Sequence, residues 1–76
     1  MKVTRETIKR INSVAQENFD IARGMLAMLN ELSGTEFGWL NKRVVWFEEP
    51  DKGYSSPCHD LWATMDGVNA VEIVIG

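Results

Sequence analysis

The sequence predicts an α+β fold in which a long N-terminal helix packs on a small antiparallel sheet of two or three strands, accompanied by a short second helix. Two observations support this class. Apolar residues recur with helical spacing through the first 33 positions, and β-branched, aromatic and turn-forming residues dominate after Gly34. A chain of 76 residues is expected to form one domain, 1–76.

The N-terminal helix is predicted over residues 4–33. Thr4 is a favourable N-cap, Val3 is placed to pack against Ile8, and Gly34 can adopt the left-handed conformation that ends a helix. Asn18 interrupts the heptad pattern, and Gly24 costs about 1 kcal/mol inside a helix, so the helix could break near either residue. The apolar heptad positions are Ile8, Ile11, Ala15, Ala22, Met25, Leu29 and Leu32.

A β-hairpin is predicted over residues 36–48. Its strands are expected at 37–40 and 43–48, joined through Asn41 and Lys42, and the second strand is the stronger because it is rich in Val and aromatic residues. Gly38 weakens the first strand.

The C-terminal part is open to two interpretations. Ser56 and Pro57 suit the start of a short helix over 57–66, which Gly67 would end. Alternatively, residues 61–65 pair with 68–71 across a turn at Asp66 and Gly67. In both cases residues 71–75 are predicted to form a strand, because they are mostly β-branched.

The length of the first helix suggests self-association. A helix over 4–33 would extend about 45 Å, whereas a compact chain of this size is roughly 30 Å across. The N-terminal half of its apolar stripe would then need a second copy or another protein to cover it. Asn18 would set the register of that contact or simply face solvent at a bend. The candidate association surface is Ile8, Ile11, Val14, Ala15, Asn18 and Ala22.

Nucleic-acid association is the second hypothesis. The formal net charge of −3 opposes it, because phosphate binding requires a basic surface. A local basic and aromatic patch could still serve, formed by Lys9, Arg10, Lys42, Arg43 and Trp39.

No catalytic, metal-binding or cofactor-binding residues are predicted. Cys58, His59 and Asp60 have the residue types of a catalytic relay, but neighbouring helical side chains point about 100° apart and cannot form one. A single cysteine also argues against a zinc site or an intrachain disulfide. An enzyme, as the third hypothesis, would need a site at a dimer interface.

The sequence therefore favours a small non-catalytic module for protein interaction or homo-oligomerisation, of bacterial or phage type. Its partner is expected to be a second copy or another protein rather than a membrane, because no apolar run approaches the ~20 residues of a membrane span. The charged N-terminal segment lacks the apolar core of a signal peptide, so a cytoplasmic location is expected.

Overall fold

The computed structural model describes residues 2–47 and 64–72. Two helices pack on an antiparallel sheet of three strands in the order β1-β2-β3, which confirms the α+β class. The elements, in chain order, are α1 (Arg5–Glu17), α2 (Phe19–Ser33), β1 (Phe37–Leu40), β2 (Arg43–Phe47), β3 (Thr64–Asp66) and the short α3 (Gly67–Ala70).

The helix predicted over 4–33 is not continuous, because the chain breaks at Asn18, one of the two positions at which the sequence allows a break. This residue has extended backbone angles (φ −152°, ψ 97°), and α2 folds back along α1 instead of continuing it. The outer ends are as predicted: the Thr4 side chain accepts a hydrogen bond from the backbone N–H of Thr7, and Gly34 ends α2 at φ +68°. Folding back lets one apolar face cover the other, so the longest dimension is only 34 Å.

The hairpin forms as predicted, with Glu48 outside the described residues. Phe37 lies opposite Trp46 and Leu40 opposite Arg43. Asn41 and Lys42 both have positive φ, at 51° and 60°. Two consecutive positive φ values define a type I′ turn, whose twist matches that of the two strands.

Both interpretations of the C-terminal part need correction. Residues 64–66 are a strand that pairs with β2, not the end of a helix, and residues 68–70 are helical, so no hairpin forms across Asp66 and Gly67. The predicted strand over 71–75 is also wrong where it can be seen, because Val71 and Glu72 continue the helical conformation. Residues 57–63 of the predicted helix and 73–75 of the predicted strand lie outside the described part.

A local cap and contacts with α1 hold the helical C-terminal turn. The Asp66 carboxylate accepts a hydrogen bond from the backbone N–H of Val68 at 2.7 Å, which starts the turn. Arg5 of α1 then donates to the side-chain oxygen of Asn69 at 3.1 Å and lies 3.6 Å from the Glu72 carboxylate. The turn also buries Val71 in the core.

The core lies between the two helices, the sheet and α3. One face of the sheet contributes Phe37 and Val44, and Trp46 packs against them, its ring 5.1 Å from that of Phe37. Two side-chain amides fasten the helices to the hairpin: Asn12 accepts from the backbone N–H of Val44, and Asn30 bonds both backbone groups of Phe37. The helices contribute Ile8, Ile11, Ala15, Ala22, Leu26 and Leu29.

Candidate protein-interaction surface

The association surface predicted from the sequence is mostly interior. Its aliphatic residues Ile8, Ile11, Ala15 and Ala22 are at most 2% exposed, and Val14 is half-buried against them. The α1–α2 hairpin and the sheet cover these side chains, so they are not available to a partner in this fold. The prediction of an uncovered N-terminal stripe is therefore wrong, and exposed Asn18 serves as a helix cap at the bend.

An apolar surface remains on the side of α2 that faces away from the sheet. Ile21, Met28 and Leu32 are 56%, 64% and 57% exposed, and half-buried Met25 lies between them. Their spacing of four, three and four residues places them in one row along the helix, as in the contact seam of a helix pair. We call Ile21, Met25, Met28 and Leu32 the outer stripe. The adjoining row of α2, Ala22, Leu26 and Leu29, belongs to the core.

Three residues of the outer stripe, Met25, Met28 and Leu32, form one wall of a groove between α1 and α2. The groove has a volume of about 220 Å³, and its exposed surface is almost entirely apolar. Arg10 is the charged side chain at its edge, on the α1 side. Methionine suits such a place, because its flexible thioether adapts to differently shaped apolar partners. The lining residues are Thr7, Arg10, Ile11, Met25, Met28, Leu29 and Leu32.

A second row of α2 lies beside the outer stripe, on the side away from α1. It consists of Asp20, Gly24, Ala27 and Glu31, all exposed, with small residues in the middle and a carboxylate at each end. We call it the flanking stripe. Its first three residues border an open concavity of about 480 Å³ between α2 and β1.

Gly24 has no explanation within the described chain. A Cβ added there would meet no heavy atom within 4 Å outside its own helical neighbourhood, and α2 continues through it. Alanine would therefore fit and would favour the helix by about 1 kcal/mol. The break that the sequence suggested near Gly24 is therefore absent from α2.

Lys9 is exposed on α1, and the other four residues proposed for nucleic-acid binding lie in three different surroundings. Trp39 is half-buried edge-on against Phe19, at a ring distance of 5.0 Å, and the Lys42 ammonium lies 6.0 Å from the centre of the same Phe19 ring. Arg43 borders a separate polar cleft with Asn12, Ser13, Gln16 and Asn41. Arg10 lines the apolar α1–α2 groove instead.

Within 2–47 and 64–72, no group of three or more His, Cys, Asp or Glu side chains is arranged to hold a metal ion. In the same ranges no helix has the length and apolar character needed to cross a bilayer. Cys58, His59 and Asp60 lie outside the described residues.

No protein-family model matches the chain, and neither a curated protein nor a solved structure is significantly similar to it.

The sequence contained a signal for the outer stripe. Ile21 and Met28 fall outside the main heptad positions, which made the apolar surface of the predicted helix too wide for a single seam. The break at Asn18 separates this wide apolar surface into two parts. One side of α2 enters the core, and another side remains exposed. Periodicity alone could not assign the sides.

Proposed function

We propose that this protein is a protein-interaction module that binds a partner through the outer stripe of α2 and the adjoining α1–α2 groove. The observation that carries the proposal is the row of apolar side chains, three of them more than half exposed, on a helix whose adjoining row is already buried in the core. The role proposed is binding rather than catalysis.

The energy of leaving this row in water supports the proposal. Fully burying an Ile, Leu or Met side chain contributes about 1.5–3 kcal/mol, so covering the exposed parts of three such side chains would contribute about 3–5 kcal/mol. A domain of this size is stabilised by only about 4–11 kcal/mol in total. Single exposed apolar residues are common, but a contiguous row with seam spacing is typical of an interaction surface.

A first experiment asks whether the outer stripe is dispensable for folding. We expect Met28→Gln to change the free energy of unfolding by less than about 0.5 kcal/mol. The matched variant Leu26→Gln, at a position only 2% exposed, should lose at least about 3 kcal/mol. Urea unfolding followed by circular dichroism, at the lowest usable protein concentration, measures both. Equal losses would mean that the outer stripe is structural, contrary to the proposal.

A second experiment asks whether the surface binds. The probe is a labelled amphipathic helical peptide with Leu at its a and d positions and Gln elsewhere, followed by fluorescence anisotropy. Binding should weaken at least about tenfold in the double variant Ile21→Gln/Met28→Gln, as expected when central apolar contacts are removed. Lys9→Gln/Ser13→Gln, on exposed positions of α1, is the control and should bind like the wild type. No binding by the wild type at a concentration where it sediments as a monomer, or equal binding by both variants, would contradict the proposal.

A further inference from the structure

We infer that the partner on the outer stripe is a second copy of this chain, joined by a two-fold axis that runs parallel to α2. The inference rests on the proposed function and names its partner. Three features of α2 carry it: the spacing of the outer stripe, the small residues of the flanking stripe, and the distribution of charge on the two sides of the row.

The spacing suits self-pairing. Around an axis parallel to α2, each residue of the outer stripe meets its own counterpart, so Ile21 contacts Ile21 and Met28 contacts Met28 of the second copy. This is the in-register geometry of a parallel helix pair with a and d contacts. A two-fold interface requires a surface that is complementary to itself, and an apolar row of this kind meets the requirement.

The flanking stripe explains the glycine. In the same arrangement α1 of the second copy lies beside the flanking stripe, because the two-fold rotation carries it to the opposite side of the seam. Gly24 and Ala27 leave the backbone of α2 accessible there, next to the open concavity. Small residues allow a neighbouring helix to approach closely, which gives Gly24 a role that the described chain by itself does not supply.

Charge selects this axis over the alternative. Arg10 lines the groove beside Met28 and Leu32. Rotation about an axis parallel to α2 does not change a residue's position along α2, so Arg10 of the second copy lies at this level on the flank that carries Glu31. An axis perpendicular to α2 would instead bring the two acidic flanks together, which is unfavourable. The parallel axis therefore brings a cation to Glu31, whereas the perpendicular axis brings the flank's carboxylates together, of which Asp20 already lies 3.7 Å from the Arg23 guanidinium.

Sedimentation velocity of the full chain, from low to tens of micromolar, tests whether the partner is a second copy. We expect a dimer that dissociates on dilution. Arg10→Glu and Glu31→Arg should each weaken dimerisation about tenfold, and the double swap should restore it to within about threefold of the wild type, as for a directly coupled pair. Circular dichroism confirms that each variant is folded. A monomer throughout, or a double swap weaker than both single variants, would overturn the inference.

Disulfide formation tests the direction of the axis. In a Cys58→Ser background, Ile21→Cys should form a disulfide dimer with itself under mild oxidation. If only a mixture of the Ile21→Cys and Leu32→Cys proteins forms a dimer, the copies are antiparallel and the inferred axis is wrong. If the protein is a monomer, tolerates Met28→Gln and binds the peptide, the inference of a second copy is refuted. The proposed function then still holds. An outer stripe essential for folding would refute both.

Discussion

The side-chain oxygen of Asn18 accepts a hydrogen bond from the backbone N–H of Ile21 at 3.2 Å, and this contact begins α2. The backbone N–H of Asn18 donates to the carbonyl of Val14 at 2.7 Å, which ends α1. One residue thus serves as the C-cap of one helix and the N-cap of the next. The bend at this residue is what turns a single amphipathic segment into a helical hairpin with one inner and one outer surface.

Replacing the cap at Asn18 should destabilise the fold modestly. Asn18→Ala removes the acceptor for Ile21 N–H, and loss of an N-cap costs about 1 kcal/mol. Asn18→Asp keeps an acceptor at the same position and should be close to the wild type. Urea unfolding measures both. If alanine proved as stable as aspartate, the break in the helix would have to be set by packing instead of by the cap.

Asn30 should be more costly to replace. Its amide nitrogen donates to the carbonyl of Phe37 at 2.9 Å, while its oxygen accepts from the N–H of Phe37 and the hydroxyl of Thr35, both at 3.0 Å. Asn30→Ala leaves these part-buried groups without their partners, at about 1–3 kcal/mol for each unsatisfied group. We expect the free energy of unfolding of Asn30→Ala to be about 2–4 kcal/mol lower than that of the wild type.

Asn30→Asp is the informative control for this site. A carboxylate can still accept from Phe37 and Thr35 but cannot donate to the Phe37 carbonyl. The free energy of unfolding of Asn30→Asp should therefore lie between the values for the wild type and the alanine variant. An alanine variant within about 0.5 kcal/mol of the wild type would place Asn30 among ordinary surface positions.

Two glycines should respond to alanine in opposite directions. At Gly67 an added Cβ would lie 2.8 Å from both the carbonyl oxygen and the Cγ1 of Val44, so Gly67→Ala must displace β2 or α3 and should lose about 1–3 kcal/mol. At Gly24 the space is open, and Gly24→Ala should gain about 0.5–1 kcal/mol in the monomer. Chemical unfolding at low protein concentration compares them. A destabilised Gly24→Ala monomer would reveal an intrachain reason for that glycine.

Lys42 carries a measurable backbone strain. Its φ of 60° lies in the left-handed region, which costs a residue other than glycine roughly 1 kcal/mol. Lys42→Gly should therefore raise the thermal midpoint, and Lys42→Val should lower it because a β-branched side chain is worse at positive φ. The Lys42 ammonium is 6.0 Å from the Phe19 ring centre. Losing this exposed contact should lower the stability of either variant only slightly. A glycine variant less stable than the wild type would show that the contact outweighs the strain.

Local chemistry was sufficient to predict several elements from the sequence. Thr4 and Gly34 mark the two ends of the helical segment, because a hydroxyl can cap a first turn and glycine tolerates a left-handed backbone. The hairpin follows from strand-forming residues on both sides of Asn41 and Lys42. These signals act between residues close in the chain, so they can be read before any tertiary contact is known.

The tertiary structure decided which surfaces are inside. Asn18 is compatible with a continuous helix or a cap, and the contact between α1 and α2 decides for the cap, because it buries Ile11 and Ala15 within the chain. Val71 has a high strand preference, yet burial beside α1 places it in a helical turn. Burial depends on contacts between residues that are distant in the sequence, so periodicity cannot reveal which residues are buried. The outer stripe could therefore be found only after the inner surfaces of the hairpin had been assigned.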